Sequence, residues 1–318
     1  MLFRPPPGGL FYLILVEKML KKVGNAGIAF AVGAYAAWGL FPLYFLQVAG
    51  IPAWQVVAHR TVWSLAFVII LLTLLRRWAW LPLVLRQPRV LALFAASALL
   101  LSCNWLVYVW AVQNRHVVDA SLGYFILPLV SVALGFVVLH ERPRLGQWAA
   151  VALAALGVVW LTFQSGTLPW IALVLAASFG AYGLMRKTAP LGALEGFALE
   201  TLLLAPLALA GLVYWHWQGV GAWQIADASK LAWLVAGGPL TAIPLLLFAA
   251  GARRIPLATM GMLQYISPTL QFALGIWIFN EPQSAARLIG FALIWAALLV
   301  YSLEGLWRNR RNAASPAG

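Results

Sequence analysis

The sequence predicts an all-α integral membrane protein: ten transmembrane helices arranged as two inverted five-helix repeats. Three observations carry that fold class. First, 64% of the 318 residues are hydrophobic and only 9% are charged, where soluble domains average about half apolar and about a quarter charged. Mean hydropathy is +0.90, so no water-soluble fold has enough interior to hide the apolar surface. Second, apolar runs broken by charges, Gly and Pro recur ten times. Ten spans of ~21 residues fill about two-thirds of the chain and leave only short loops. Third, the two halves repeat one another's motifs in the same order.

The elements follow in chain order. Residues 1–24 form a tail in which Pro5-Pro6-Pro7 precedes the apolar run Leu10 to Val16, too short to span. Met19-Leu20-Lys21-Lys22 reads as an alternative start, so the tail is either an over-extended reading frame or a disordered segment. Spans are expected at 27–47, 54–75, 90–111, 118–139 and 147–163 in a first repeat covering 25–164. A second repeat, 165–306, holds spans at 168–185, 194–214, 231–252, 256–279 and 287–306, before a basic tail at 307–318. The fifth and sixth spans are the shortest, joined through residues 164–167.

Charge orients the bundle. With the N-terminus inside, seventeen of the 21 basic residues fall in inner segments, among them Arg4, Arg76, Arg77, Arg142, Arg144, Arg186, Lys187, Arg253 and Arg254. Arg115, Lys230 and Arg287 remain outside, and Arg60 is embedded. Basic residues accumulate in cytoplasmic loops, so both termini are expected in the cytoplasm. The formal net charge of +13 is thereby a statement of topology, and nucleic acid is not an expected partner.

The repeat rests on ordered matches. Ala120-Ser121-Leu122-Gly123 recurs as Ala258-Thr259-Met260-Gly261, Ala133-Leu134-Gly135 as Ala273-Leu274-Gly275, and Ala37-Trp38-Gly39-Leu40 as Ala181-Tyr182-Gly183-Leu184. Ala111 and Arg115 match Ala249 and Arg253. Pro128 precedes Glu141 by thirteen residues, as Pro268 precedes Glu281. Five spans per half is an odd number, so the second copy must cross in the opposite sense. Inverted repeats of this kind occur in secondary transporters that rock around a midplane site. Duplication without alternating access is the other reading.

Pro128 and Pro268 fall near the middle of spans four and nine, where each is expected to kink its helix at the same depth. Arg60 and Glu200 are charges inside spans two and seven, costly unless they face a cavity or a partner. Each sits ~6 residues, or ~9 Å, from its own side, which in a core of ~30 Å leaves them ~12 Å apart along the normal. Arg60 is therefore assigned to the outer half of a pathway and Glu200 to the inner half, with no direct pair. Snorkelling of Arg60 and a structural, protonated Glu200 are the competing roles. Span three carries Asn104, Trp105, Tyr108 and Trp110, followed by Gln113 and Asn114, and helical spacing puts Asn104 and Tyr108 on one face with Trp105 beside them. Trp38, Tyr44, Tyr124, Tyr182, Gln264 and Tyr265 are candidates to join that polar-aromatic wall. Trp78, Trp80, Trp170, Trp215, Trp217 and Trp307 near span ends read as an interfacial belt. His59 is a weaker candidate able to titrate near neutral pH. Glu141 and Glu281 read as caps or loop ion-pair partners, with Arg142 or Arg144 available to the first.

Cys103 is the only cysteine, the four histidines lie far apart, and there is neither a Walker A sequence nor a D-D-x-x-D run. No catalytic residue, metal, nucleotide or prosthetic group is expected.

The ten spans, the paired halves and the Pro-to-Glu spacing resemble the EamA family of the drug/metabolite transporter superfamily. More narrowly, His59-Arg60-Thr61-Val62-Trp63-Ser64, Asn104-Trp105-Leu106, Ala120-Ser121-Leu122-Gly123-Tyr124-Phe125-Ile126 and Gln264-Tyr265-Ile266-Ser267-Pro268-Thr269-Leu270 resemble its RarD branch, over residues 25 to 310. The resemblance implies a bacterial inner-membrane permease, an exporter or facilitator of small organic metabolites or drugs, with a central cavity between halves. On this reading Arg60 neutralises a carboxylate of the solute while Tyr108, Trp105 and Tyr124 stack on an apolar part. Partners are then a small organic solute, membrane lipids and, as a candidate, a second copy of the chain. An integral-membrane transferase acting on a lipid-linked substrate is the alternative, and an accessory subunit of a larger complex a third.

Overall fold

The computed structural model describes residues 9–113, 117–165, 170–278 and 285–314. Arg4, Asn114, Arg115, His116 and Glu281 lie outside the described residues, as do residues 166–167 between the fifth and sixth expected spans. Every regular element among the described residues is an α-helix. In chain order these are α1 (Gly9–Gly39), α2 (Phe41–Gln47), α3 (Ala53–Leu74), α4 (Trp80–Leu85), α5 (Pro88–Gln113), α6 (Val117–Val137) and α7 (Leu145–Ser165). Then follow α8 (Trp170–Thr188), α9 (Ala193–Trp217), α10 (Ala222–Ile225), α11 (Ala228–Ala252), α12 (Leu257–Gln264), α13 (Ile266–Trp277) and α14 (Ala285–Ala314).

Seven helices among the described residues are long and apolar enough to cross a membrane: Gly24–Gln47, Ala53–Leu74, Pro88–Tyr108, Leu145–Gln164, Ala193–Trp217, Ala228–Ala252 and Leu288–Gly305. The chain is a multi-pass membrane protein. Three expected spans fall short of that measure for identifiable reasons. The apolar stretch of α6, Leu122–Val137, is shorter. α8, of 19 residues, carries Arg186 and Lys187 in its last turn. The ninth segment is divided into α12 and α13, of 8 and 12 residues. At the N-terminus, α1 begins at Gly9 and runs without a break through the expected tail.

Proline placement shapes the bundle locally. α1 gives way to α2 at Leu40, with Pro42 in the first turn of α2, where a missing N–H costs nothing. The two mid-span prolines behave differently. α6 continues through Pro128 as one helix, whereas the second copy is interrupted at Tyr265, three residues before Pro268. The ring of Pro268 crowds the preceding turn, and the divided helix is the result.

The outer surface carries Ile70, Leu74, Leu99, Leu106, Leu207 and Leu299, all well exposed, a surface suited to lipid and not to water. Inside, small residues bring backbones together, as membrane helix pairs require. A Cβ at Gly238 on α11 would lie 2.6 Å from the carbonyl oxygen of Trp63 on α3, where Ser64 Oγ donates to the Gly238 carbonyl at 3.0 Å. A Cβ at Gly261 on α12 would lie 2.6 Å from the Pro128 carbonyl oxygen on α6. The main helix pairs are α7–α14, α6–α8, α3–α11, α1–α11, α3–α9, α6–α12, α5–α8, α1–α13, α5–α9 and α6–α7. Tyr35, Val68, Leu101, Tyr182, Phe197, Phe248 and Met260 form the central core.

Candidate functional site

A cavity of about 540 Å³ opens between α1, α2, α3, α5, α6, α8, α11 and the α12–α13 junction. It falls within the range that receives whole small organic molecules. Its wall runs from mid-bundle residues such as Trp38, Asn104 and Gln264 out to Gly50 and Ile51 in the α2–α3 connection. The positive φ of Gly50, 86°, makes that tight turn.

Arg60 is the charged side chain of the wall. It is 8% exposed, and its Nε donates to Thr241 Oγ1 on α11 at 2.7 Å. The guanidinium carbon lies 5.1 Å from the Phe41 ring centre, 5.2 Å from Trp105 and 5.9 Å from Phe45. These contacts are of the cation–π type, which offsets part of the cost of burying a charge. Asn104 is anchored to α8: its Nδ2 donates to the Leu175 carbonyl at 2.9 Å and to Ser178 Oγ at 3.1 Å. Tyr108 and Tyr124 meet edge to face at 6.0 Å. Trp38 packs with Tyr35 and Phe179, each at 5.7 Å. Gln271 Nε2 reaches the Trp38 carbonyl at 3.2 Å, while Gln264 accepts from Ser131 Oγ at 3.1 Å.

Of the residues expected in a pathway, Trp38, Arg60, Asn104, Trp105, Tyr108, Tyr124, Gln264 and Pro268 all border this one cavity. Glu200, Tyr182, Tyr265, His59 and Pro128 are not on its wall. Tyr44 is buried beside Phe41 and Phe45. Tyr265 donates to the Phe125 carbonyl at 3.2 Å, and so ties the helix interruption to α6. His59 is buried with its Nε2 unpartnered, 6.0 Å from the Trp223 ring.

Glu200 is fully buried in a polar cluster away from the cavity. Ser97 Oγ donates to it at 2.5 Å and Tyr182 OH at 3.4 Å, and the Arg186 Nη1 lies 3.8 Å away. Arg186 in turn donates to the Ala193 carbonyl at 2.9 Å and sits over Phe94 at 5.5 Å. This cluster ties α5, α8 and α9 together.

Tyr35, Phe41, Phe45, Phe179 and Gln271 also line the wall and are not among the residues the sequence singles out. Helical spacing held a signal for one of them. Tyr35 precedes Trp38 by three residues, which puts both on one face of α1.

At the other end of the bundle Glu141 does cap, though not beside Arg142 or Arg144. It accepts from the backbone N–H groups of Leu257 and Ala258, at 2.7 and 3.0 Å, at the start of α12. Lys187 lies 3.7 Å from it and donates to the Ala252 and Ile255 carbonyls. Arg144 instead pairs with Glu304 at 3.2 Å.

Residues 25–163 match the EamA-like transporter family. The chain is 46% identical to an uncharacterised transporter of Pseudomonas aeruginosa, covering 91% of this chain and 97% of that protein. It is 45% identical to Protein RarD of Streptomyces exfoliatus, over 91% and 92% of the two chains. It is 39% identical to Protein RarD of Escherichia coli K12, over 93% and 100%. A protein crystal structure at 21% identity shares the fold, with a TM-score of 0.68 over 88% of this chain and 98% of the other.

Proposed function

The chain belongs to the EamA-like transporter family, a membrane transporter and not an enzyme, and from that premise we propose a secondary transporter of small organic solutes. It works in the bacterial inner membrane by alternating access, as an exporter or facilitator, with both termini cytoplasmic. The observation that carries this reading is the cavity on which Arg60 from α3, Trp105 and Tyr108 from α5 and Gln264 from α12 converge.

Ten spans in two inverted halves underlie the mechanism: α1/α2, α3, α5, α6 and α7, then α8, α9, α11, α12/α13 and α14. Helix pairing supports it. Exchanging each helix for its counterpart turns α1–α11 into α8–α5, α3–α11 into α9–α5 and α6–α8 into α13–α1. The pairs α3–α9, α6–α12 and α7–α14 map onto themselves. Contact along α3–α11 is more extensive than along its counterpart α5–α9, as two halves caught in unlike conformations would give.

With the N-terminus inside, the cavity opens outward at the α2–α3 connection. The inner end is closed where Glu141 holds the start of α12 and Lys187. Inward opening requires those bonds to part while Arg60 and its aromatic neighbours regain cover.

Purified protein in liposomes, offered a bacterial metabolite extract with and without a pH gradient, tests the function. At least one small organic solute is expected to move more than ten-fold faster than into protein-free liposomes. Absence of any protein-dependent flux overturns the proposal.

A further inference from the structure

We infer that the solute held in the cavity is an organic anion with a flat apolar body, its carboxylate or similar group bound by the Arg60 guanidinium. This rests on the transport reading above and names the substrate class of the same site.

Among the described residues the cavity wall has one cation and no acid. Its other polar side chains, among them Asn104, Gln264, Ser267 and Gln271, are neutral. No carboxylate pairs with Arg60 among the described residues, and its one hydrogen bond there is Nε to Thr241 Oγ1. Thr241 itself donates to the Gly237 carbonyl at 2.7 Å. The inner edge of the guanidinium is thus fixed, and the two terminal nitrogens keep their N–H groups for a ligand. A planar fork of donors matches a carboxylate bidentately.

Comparison with Arg186 sharpens the point. That guanidinium is buried more deeply still, but has Glu200 at 3.8 Å and the Ala193 carbonyl at 2.9 Å. A buried cation without a counter-charge is costly, and rings alone offset only part of that cost. Arg60 has the rings of Phe41, Phe45 and Trp105 and, among the described residues, no anion. An arriving anion supplies the missing charge, and the same rings supply a surface for a flat apolar body. A cavity of about 540 Å³ is far larger than a halide needs, which favours an organic anion over an inorganic one.

Three probes of one shape and different charge test this: phenylacetate, phenylacetamide and phenethylamine, titrated calorimetrically into the full chain in lipid nanodiscs at pH 7. Acetate and chloride supply the charge without the ring. Phenylacetate is expected to bind at least ten-fold tighter than the amide and than acetate or chloride, and the amine not to compete. Arg60→Gln is expected to erase the preference over the amide, and Arg60→Lys to retain part of it. Equal binding of acid and amide, preference for the amine, acetate or chloride binding as tightly as phenylacetate, or no binding by any probe overturns the inference. Because the wild-type ranking decides, a variant that fails to fold does not blunt the test. Probe binding without flux in liposomes would refute transport and leave the anion site standing. Flux of neutral solutes that phenylacetate does not inhibit would do the reverse.

Discussion

Arg186→Met is expected to destabilise the folded protein by about 3–5 kcal/mol, and Arg186→Met with Glu200→Leu to recover most of that loss. The reasoning starts from burial: the two side chains are 1% and 0% exposed and lie 3.8 Å apart. Removing one partner leaves the other charge without compensation in a medium of low dielectric. Removing both leaves two apolar side chains of similar volume, which often packs as well as the pair did. Glu200→Gln keeps an acceptor for Ser97 and Tyr182 but orphans Arg186, so it should fall near Arg186→Met. Thermal unfolding of detergent-purified protein compares all three variants with the wild type. A double variant no more stable than Arg186→Met would show that the cluster does not act as an ion pair.

Arg60→Ala is expected to cut flux of the transported solute by 100-fold or more while the protein still inserts and folds. Two charge-assisted hydrogen bonds to a bound anion are together equivalent to ~100-fold or more in affinity, at about 1.5–3 kcal/mol each. The stacking surface of Phe41, Phe45 and Trp105 remains and retains weak binding. Arg60→Lys keeps the charge but loses the planar fork and the bond to Thr241, so it should lie between the two. Initial rates in liposomes, normalised to folded protein by gel filtration, provide the comparison. Wild-type rates in Arg60→Ala would remove Arg60 from the pathway.

Much of the molecule was legible in the chain because the bilayer enforces a simple grammar. Apolar runs long enough to span, closed by pairs such as Arg76-Arg77 and Arg253-Arg254, mark α3 and α11 within a few residues. The rarity of intramembrane charge singled out Arg60 and Glu200 together. Which of them meets the cavity depends on the rotation of each helix, and a span count does not fix rotation. The partner of Glu200 was obscured for a related reason: Arg186 reads as part of a cytoplasmic basic cluster, yet the last turn of α8 carries it back inside. Phe41 and Phe45 were indistinguishable from lipid-facing aromatics, since both lie in an apolar run. Pro268 gave the depth of the α12–α13 interruption, while its position at Tyr265 is set by the turn ahead of the ring. Glu141 shows the limit of local reading. Arg142 and Arg144 are its neighbours in sequence, and the groups it binds lie 116 and 117 residues away.

Gln271→Cys in a Cys103→Ser background places one thiol on the cavity wall and removes the exposed native one. If the cavity is the transport path, a bulky membrane-impermeant thiol reagent applied from the α2–α3 side should stop flux, and saturating solute should slow that inactivation at least ten-fold. Fully labelled protein that transports at the unlabelled rate would contradict the cavity as the path.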